Sequence, residues 1–474
     1  ALRWTPDSDS TIDMGGLWQR IRGDDGQYAD GDGDGLSRAT PAAQPYANRY
    51  GLVDLTVARQ LGAIRLTTSL AYSRQGVFDR FVGAALADVI HQDVQPAADA
   101  VDAVYTQRNR VGMGRGEIRL SRQGEAGSGW LVGLSLLDST SRIRRRMGNE
   151  AGSPRLIGVR NHVGEATVFG EYTWRPAPNL AATAGARVSW TRLSGRSEDP
   201  PSLAIREAAI AEGAARTARR LLPSASLAWW PGDSVTLYAR YQQGFRPGGI
   251  SVENGGVRRF ASDRVKTYEA GMRYGGSGLS TSLSISWTRW LDVQADVIDG
   301  FGFPTTINIG NGRVLTIGWT TEWRPLPQLR LHAALYVNDG DLTRPNTLVA
   351  QLLKRAGKGE NLPNVARISA YLAGAWGGEI TGLGPFDLSG YARYIGKSTL
   401  GVGQVLGREQ GGYVDTGMAL RFGDSRHGIS LTLTNLFDAR GNRFALGSPL
   451  QLREENQTTP LQPRSLRIGF DYRF

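Results

Sequence analysis

The sequence predicts an all-β fold, a transmembrane antiparallel β-barrel, on three observations. Apolar residues recur at every second position, the runs persist for roughly ten residues or more, and tight turns alternate with long polar connections. The stretch around Leu279 shows the first most plainly. Leu279, Leu283, Ile285, Trp287 and Leu291 are apolar at odd positions, while Ser280, Ser282, Ser284, Ser286 and Thr288 are small and polar at even ones. Successive side chains on a strand point to opposite faces, whereas a helix repeats every 3.6 residues or so, and a helix would scatter this set around its axis.

In chain order, a stub at residues 2–5 opens the pattern and a Pro/Asp/Ser turn at 6–10 follows it. The alternation returns with Val168, Tyr172 and Trp174 against Thr167, Glu171 and Thr173, then with Val235, Leu237 and Tyr241 against Thr236, Arg240 and Gln242. Towards the C-terminus it recurs with Leu329, Leu331, Leu335 and Val337 against Arg330, His332, Tyr336 and Asn338, and with Ile429, Leu431 and Leu433 against Ser430, Thr432 and Thr434. About eighteen full strands beyond the stub result, within the range of bacterial barrels. Further tight turns fall at 60–62, 175–179, 231–233, 275–278, 324–328 and 423–426. Between them lie polar connections at 22–48, 77–105, 141–163, 194–219, 245–264, 292–313, 338–363 and 438–464. Short turns then belong to the periplasmic side and long loops to the extracellular side. The one weak helical segment, 203–218, lies in a long connection. Trp18, Trp130, Trp174, Trp190, Trp290, Trp323, Tyr394 and Phe422 fall near strand ends, where aromatic girdles sit.

Composition is consistent with this reading. The chain has 474 residues, 40% hydrophobic, and no linker or low-complexity tract divides it, so residues 1–474 are expected to form one barrel domain, with no plug. No run approaches the roughly 18 apolar residues of a membrane-spanning helix. Cysteine is absent, which removes disulfides and thiolate metal sites from consideration. A soluble propeller or sandwich also alternates, but its strands average about five or six residues. A parallel α/β fold needs amphipathic helices that the sequence lacks. The formal charge of +11 suits anionic lipid, an anionic solute or nucleic acid, and the barrel strands argue against the last.

Four segments resemble the TonB-dependent outer-membrane receptors: 221–250 (LLPSASLAWWPGDSVTLYARYQQGFRPGGI), 265–274 (VKTYEAGMRY), 429–444 (ISLTLTNLFDARGNRF) and 464–474 (RSLRIGFDYRF). Residues 1–17 resemble barrel sequence of the same family, so the likeness spans nearly the whole chain. The resemblance implies an integral outer-membrane location and a final aromatic-ended strand, here Phe470, Tyr472 and Phe474, read by the barrel-assembly machinery. It also implies a barrel of twenty-two strands holding an N-terminal plug that contacts TonB. Against that pattern the stub looks like the fourth barrel strand. Two readings stay open, a part of a plugged receptor and a plugless barrel of fewer strands. Phe245 to Gly248 reads Phe-Arg-Pro-Gly, which does not match the loop motif of the family's haem importers.

The polar strand faces should line the lumen, and arginine dominates their charges: Arg65, Arg115, Arg119, Arg187, Arg240, Arg273, Arg330, Arg367, Arg393, Arg421, Arg467 and Arg473, interleaved with Asp54, Glu117, Glu171, Glu269, Glu322 and Asp415. A cationic lumen favours anionic solutes such as ferric chelates, because guanidinium is a fixed charge that pairs with carboxylate and phosphate. Arg144, Arg145, Arg240, Arg246, Arg273 and Arg330 are the candidate ligand contacts. The run Arg142, Arg144, Arg145 and Arg146 lies near a strand end, placed for lipopolysaccharide phosphates or an anionic ligand, or as plain solvated charge. Asp30, Asp32 and Asp34 before Gly35 resemble the opening of a calcium loop, although Pro41 stands where the closing glutamate belongs. Iron enters only as part of a transported chelate. Histidines 91, 162, 332 and 427 have no zinc-ligand spacing, and no nucleophile motif suggests an enzyme. The expected function is uptake of a scarce anionic nutrient such as a ferric siderophore, dependent on TonB if a plug is supplied. The alternatives are a passive plugless channel and a structural or adhesive barrel.

Overall fold

The computed structural model describes residues 1–31, 34–40, 42–82, 104–124, 127–148, 155–299, 302–347, 349–351, 361–382, 384–402, 406–451 and 456–473. One nineteen-stranded antiparallel sheet contains the membrane-crossing part. Its strands are β1 (Leu2–Asp7), β2 (Ser10–Gly23), β3 (Tyr46–Leu61), β4 (Ile64–Val82), β5 (Val104–Gln123), β6 (Gly129–Gly148) and β7 (Arg155–Ala177). There follow β8 (Leu180–Glu198), β9 (Arg216–Gly232), β10 (Val235–Arg246), β11 (Asp263–Gly276), β12 (Leu279–Ile298) and β13 (Pro304–Leu326). The series ends with β14 (Leu329–Pro345), β15 (Ile368–Ile380), β16 (Gly384–Ile395), β17 (Tyr413–Gly423), β18 (His427–Thr434) and β19 (Ser465–Tyr472). Each strand pairs with the next, as expected for an up-and-down wall, and the count matches the expected stub plus eighteen. No ladder joins β1 to β19 among the described residues. Nineteen is odd, so these two strands run in the same direction, and antiparallel closure between them takes an odd number of intervening strands.

The period-two faces are those read from the sequence. Met14, Trp18, Val53, Leu70, Leu134, Val168, Trp174, Leu283, Trp319, Leu372 and Phe470 are large, apolar and exposed in the absence of lipid. Cross-strand neighbours keep them on one face: Ile118, Leu134, Val168 and Val188 lie directly opposite one another across β5 to β8. That face meets hydrocarbon, and the alternate residues line the lumen. Tight turns use the expected chemistry; between β11 and β12, Ser277 and Gly278 both have positive φ, which matches the right-handed twist of the flanking strands.

The long connections prove shorter than the sequence suggested, because the ladders continue well past the membrane. β5 and β6 have 20 residues each, roughly 65 Å of strand at about 3.3 Å per residue, and a tilt near 45° still leaves them far taller than an apolar band of about 25 Å. Above the bilayer both faces meet water, so the alternation fades while the backbone hydrogen bonds persist. The helical segment is real but shorter: α1 (Leu203–Gly213) starts at Ser202, whose hydroxyl accepts from the Ile205 N–H at 3.3 Å.

Candidate functional site

Most of the buried apolar side chains lie at the extracellular end, where the loops fold together. One cluster joins Val293, Val297, Ile309, Leu342, Val349, Leu362, Leu400, Val402, Leu406 and Ala445. A second packs Ile157 and Val159 of β7 against Ala209 of α1 and against Ile250, Val252 and Val257, which belong to the hairpin Gly249–Glu253 with Gly256–Phe260. That hairpin turns at Asn254 and Gly255, both at positive φ, and its Ile250 exchanges two 2.9 Å hydrogen bonds with the Asn161 amide of β7.

The third cluster shows how far the loops reach. Tyr105 of β5 and Met147 of β6 pack with Phe303, between β12 and β13, and with Leu450, between β18 and β19. The Tyr105 and Phe303 rings stand 5.3 Å apart, Arg145 donates to the Pro304 carbonyl at 2.9 Å, and Ser448 donates to the Val82 carbonyl at 3.3 Å. These elements come from three separated sectors of the sheet, so they meet only by crossing the mouth of the lumen. A short ladder between Ala29–Asp30 and Gln457–Thr458 ties the loop after β2 to the loop before β19. The loops therefore form a canopy over the pore, and its contacts identify the inward face of the wall.

The candidate ligand contacts are dispersed by the fold. Arg240 on β10 faces the lumen and donates to Glu269 at 2.9 Å, Tyr238 donates to the same carboxylate at 2.9 Å, and Arg273 lies 5.0 Å over the Tyr238 ring. Arg330 on β14 lines a separate 390 Å³ hollow with His332, Tyr371 and Tyr391. Neither Arg273 nor Arg330 pairs with a carboxylate among the described residues. Arg246 sits at the mouth, where its guanidinium clasps the buried Asp263 carboxylate, which also accepts from the Trp290 indole at 2.9 Å and from the Gln294 backbone at 3.4 Å. Trp290 is thus a canopy-anchoring residue rather than a girdle aromatic.

Adjacent Arg144 and Arg145 go to opposite faces. Arg145 is buried under the canopy, while Arg144 points outward and pairs with Glu198 at 3.5 Å, a carboxylate it shares with Arg142. Of the acidic loop, Asp32 lies outside the described residues. Asp30 accepts from the Ala39 N–H at 2.9 Å, and Asp34 accepts from the Leu36 and Ser37 N–H groups and the Ser37 hydroxyl, all at 2.8 Å. These carboxylates act as turn acceptors, and backbone hydrogen bonding holds the Asp34 pKa below its ordinary value. Phe470 and Tyr472 of β19 face lipid, and Phe474 lies outside the described residues. Sequence reasoning missed Asp263, Tyr105 and Phe303 and gave Trp290 to a girdle; Asp263 and Trp290 meet across adjacent strands, whereas Tyr105 and Phe303 come from distant sectors of the sheet.

A nineteen-stranded transmembrane wall beneath a packed extracellular canopy defines the class: an outer-membrane β-barrel receptor. The chain belongs to the TonB-dependent receptor-like β-barrel family, whose model matches residues 3–436. It is an integral outer-membrane protein, in a family of nutrient-transport receptors rather than enzymes. No curated protein sequence matches it significantly. Its fold is similar to the ferric yersiniabactin uptake receptor FyuA from Yersinia pestis, with a TM-score of 0.77 and 16% identity over 99% of this chain and 69% of that one. It is also similar to the siderophore receptor PiuA from Acinetobacter baumannii, with a TM-score of 0.70 and 13% identity over 98% of this chain and 72% of PiuA. The copper transporter OprC gives a TM-score of 0.68 and 13% identity over 100% of this chain and 71% of its own.

Proposed function

We propose that this receptor carries a scarce anionic nutrient, best matched by a ferric siderophore, across the outer membrane, with TonB supplying energy through a plug that fills the lumen. The observation that carries this reading is the set of loop contacts that spans the mouth. A wall of this many strands encloses a water-filled space wide enough for small solutes to diffuse through. Selective uptake then needs a gate above and an obstruction below. The canopy is the gate, the plug is the obstruction, and TonB is the partner whose energy clears it. Arg273 and Arg330, with no carboxylate partner among the described residues, give the wall a preference for anions. Iron is cargo inside the chelate. The lipid-facing aromatics of β19 suit recognition by the barrel-assembly machinery.

The test is accumulation of radiolabelled ferric chelates by cells carrying the full receptor, with and without TonB. Uptake of at least one chelate that needs both receptor and TonB supports the reading. Solute entry that persists without TonB, with steady single-channel conductance, replaces it with a passive channel. No uptake together with loss of attachment to a surface partner assigns an adhesive barrel instead.

A further inference from the structure

The geometry points to a binding site for the phosphate groups of outer-leaflet glycolipid, on the outside of the wall, built by a row of arginines across the upper ends of β2 to β8. Arg20, Arg49, Gly76, Arg110, Arg142, Arg160 and Arg196 lie directly opposite one another in sequence across seven consecutive strands. At about 4.8 Å per strand the row runs for roughly 29 Å.

Its face is fixed by the residues beneath it. Six positions down each strand lies another row, Met14, Leu55, Leu70, Gly116, Leu136, Ala166 and Trp190, which is apolar and belongs to the lipid-facing side. Six residues are roughly 20 Å along a strand, or about 14 Å of height at a 45° tilt. The arginines therefore stand at the level where hydrocarbon gives way to headgroups, outside the path of any transported solute.

Like charges directly opposite each other on a sheet repel. The described residues offer little to offset this row: Glu198 pairs with Arg142 and Arg144, and Asp138, lower on the same face, faces His162. Arg20, Arg49, Arg110, Arg160 and Arg196 have no carboxylate partner among the described residues. A second row one step higher adds Arg22, Arg108 and Arg144. Guanidinium groups bind phosphate through two parallel hydrogen bonds, and a membrane phosphate brings its charge to this height without ordering any protein segment. Across the barrel, Lys266, Arg289 and Arg313 also align, but that row ends in the 2.9 Å ion pair of Arg313 with Asp341. The site rests on the outer-membrane location and is independent of the uptake reading.

The test uses the receptor extracted from outer membranes in mild detergent. Retained glycolipid is counted by mass spectrometry, and the delipidated protein is titrated with bisphosphorylated lipid A, dephosphorylated lipid A and inorganic phosphate. Arg20→Gln, Arg49→Gln, Arg110→Gln, Arg160→Gln and Arg196→Gln combined should lower retention and lipid A affinity by roughly tenfold or more, whereas Lys266→Gln with Arg289→Gln should change them little. Undiminished retention in the combined variant overturns the proposal. So does equal affinity for the dephosphorylated lipid, or inorganic phosphate binding as tightly as lipid A. Heat-modifiable gel mobility reports assembly. If the combined variant does not assemble, the Arg110→Gln and Arg160→Gln pair is read the same way, with a graded loss expected and no loss overturning the site.

Discussion

The membrane wall and the extracellular canopy are built from one continuous chain, yet different forces hold them. In the wall, large apolar side chains point away from the protein and polar ones point into the lumen, so few side chains are buried there. Its strength comes from an unbroken backbone ladder, which lipid enforces because an unpaired peptide group in hydrocarbon is costly. The canopy stands in water and behaves like a small soluble domain, with apolar clusters around Ile309, Val159 and Tyr105. Single residues should therefore matter in opposite ways: burial decides their effect above the membrane, and compatibility with lipid decides it within.

Tyr105→Ala should show the contrast most strongly. Removing a fully buried ring leaves a cavity costing about 4 kcal/mol, and the loss should appear as faster hydrogen exchange around Phe303 and Leu450 while wall amides stay protected. Equal loosening of the wall would mean that the two regions are one cooperative unit. The converse probe is Leu134→Arg on the lipid face, expected to cost about 3 kcal/mol of folding stability in vesicles, with canopy exchange unchanged.

Asp263→Asn weakens the contact with Arg246 and the hydrogen bonds from Trp290 and Gln294. About 2 kcal/mol of local stability should be lost, seen as protease cleavage within 249–260. In the wall, Arg240→Met should cost under about 1 kcal/mol, because the Arg240 side of its pair is half exposed and Tyr238 still donates to Glu269, and any change in chelate affinity would then report ligand contact directly. The smallest effect belongs to Asp34. Its pKa is lowered in the folded loop, so its stabilisation is complete above the ordinary carboxylate value and is lost as pH falls through the lowered one. Exchange at Leu36 and Ser37 should quicken over that acidic interval, and the Asp34→Asn variant should show no such step.

Much of the wall could be read from residue order. The alternation around Leu283 and Trp287 placed both residues on the lipid face, and Arg240, Arg273 and Arg330 face the lumen as their parity required. Trp290 broke the pattern. It is a large apolar residue at an even position, so strand alternation, still regular through its pairs with Val265 and Gly312, turns the indole inward to donate to Asp263. Arg144 and Arg145 looked like one basic run, but strand alternation sends neighbours to opposite faces, one to Glu198 on the outer face and the other under the canopy.

What the sequence determined by itself is what a local rule can carry: a period of two, the number of strands, the position of turns and the face that meets lipid. These follow because each strand repeats the same two-residue choice between hydrocarbon and water. Tertiary structure alone decided the meeting of Tyr105, Phe303 and Leu450 over the pore and the alignment of Arg20, Arg49, Arg110, Arg142, Arg160 and Arg196 along one line. Both depend on strand register and on loops converging from separate sectors of the sheet, and register is set by the whole ladder rather than by any single segment.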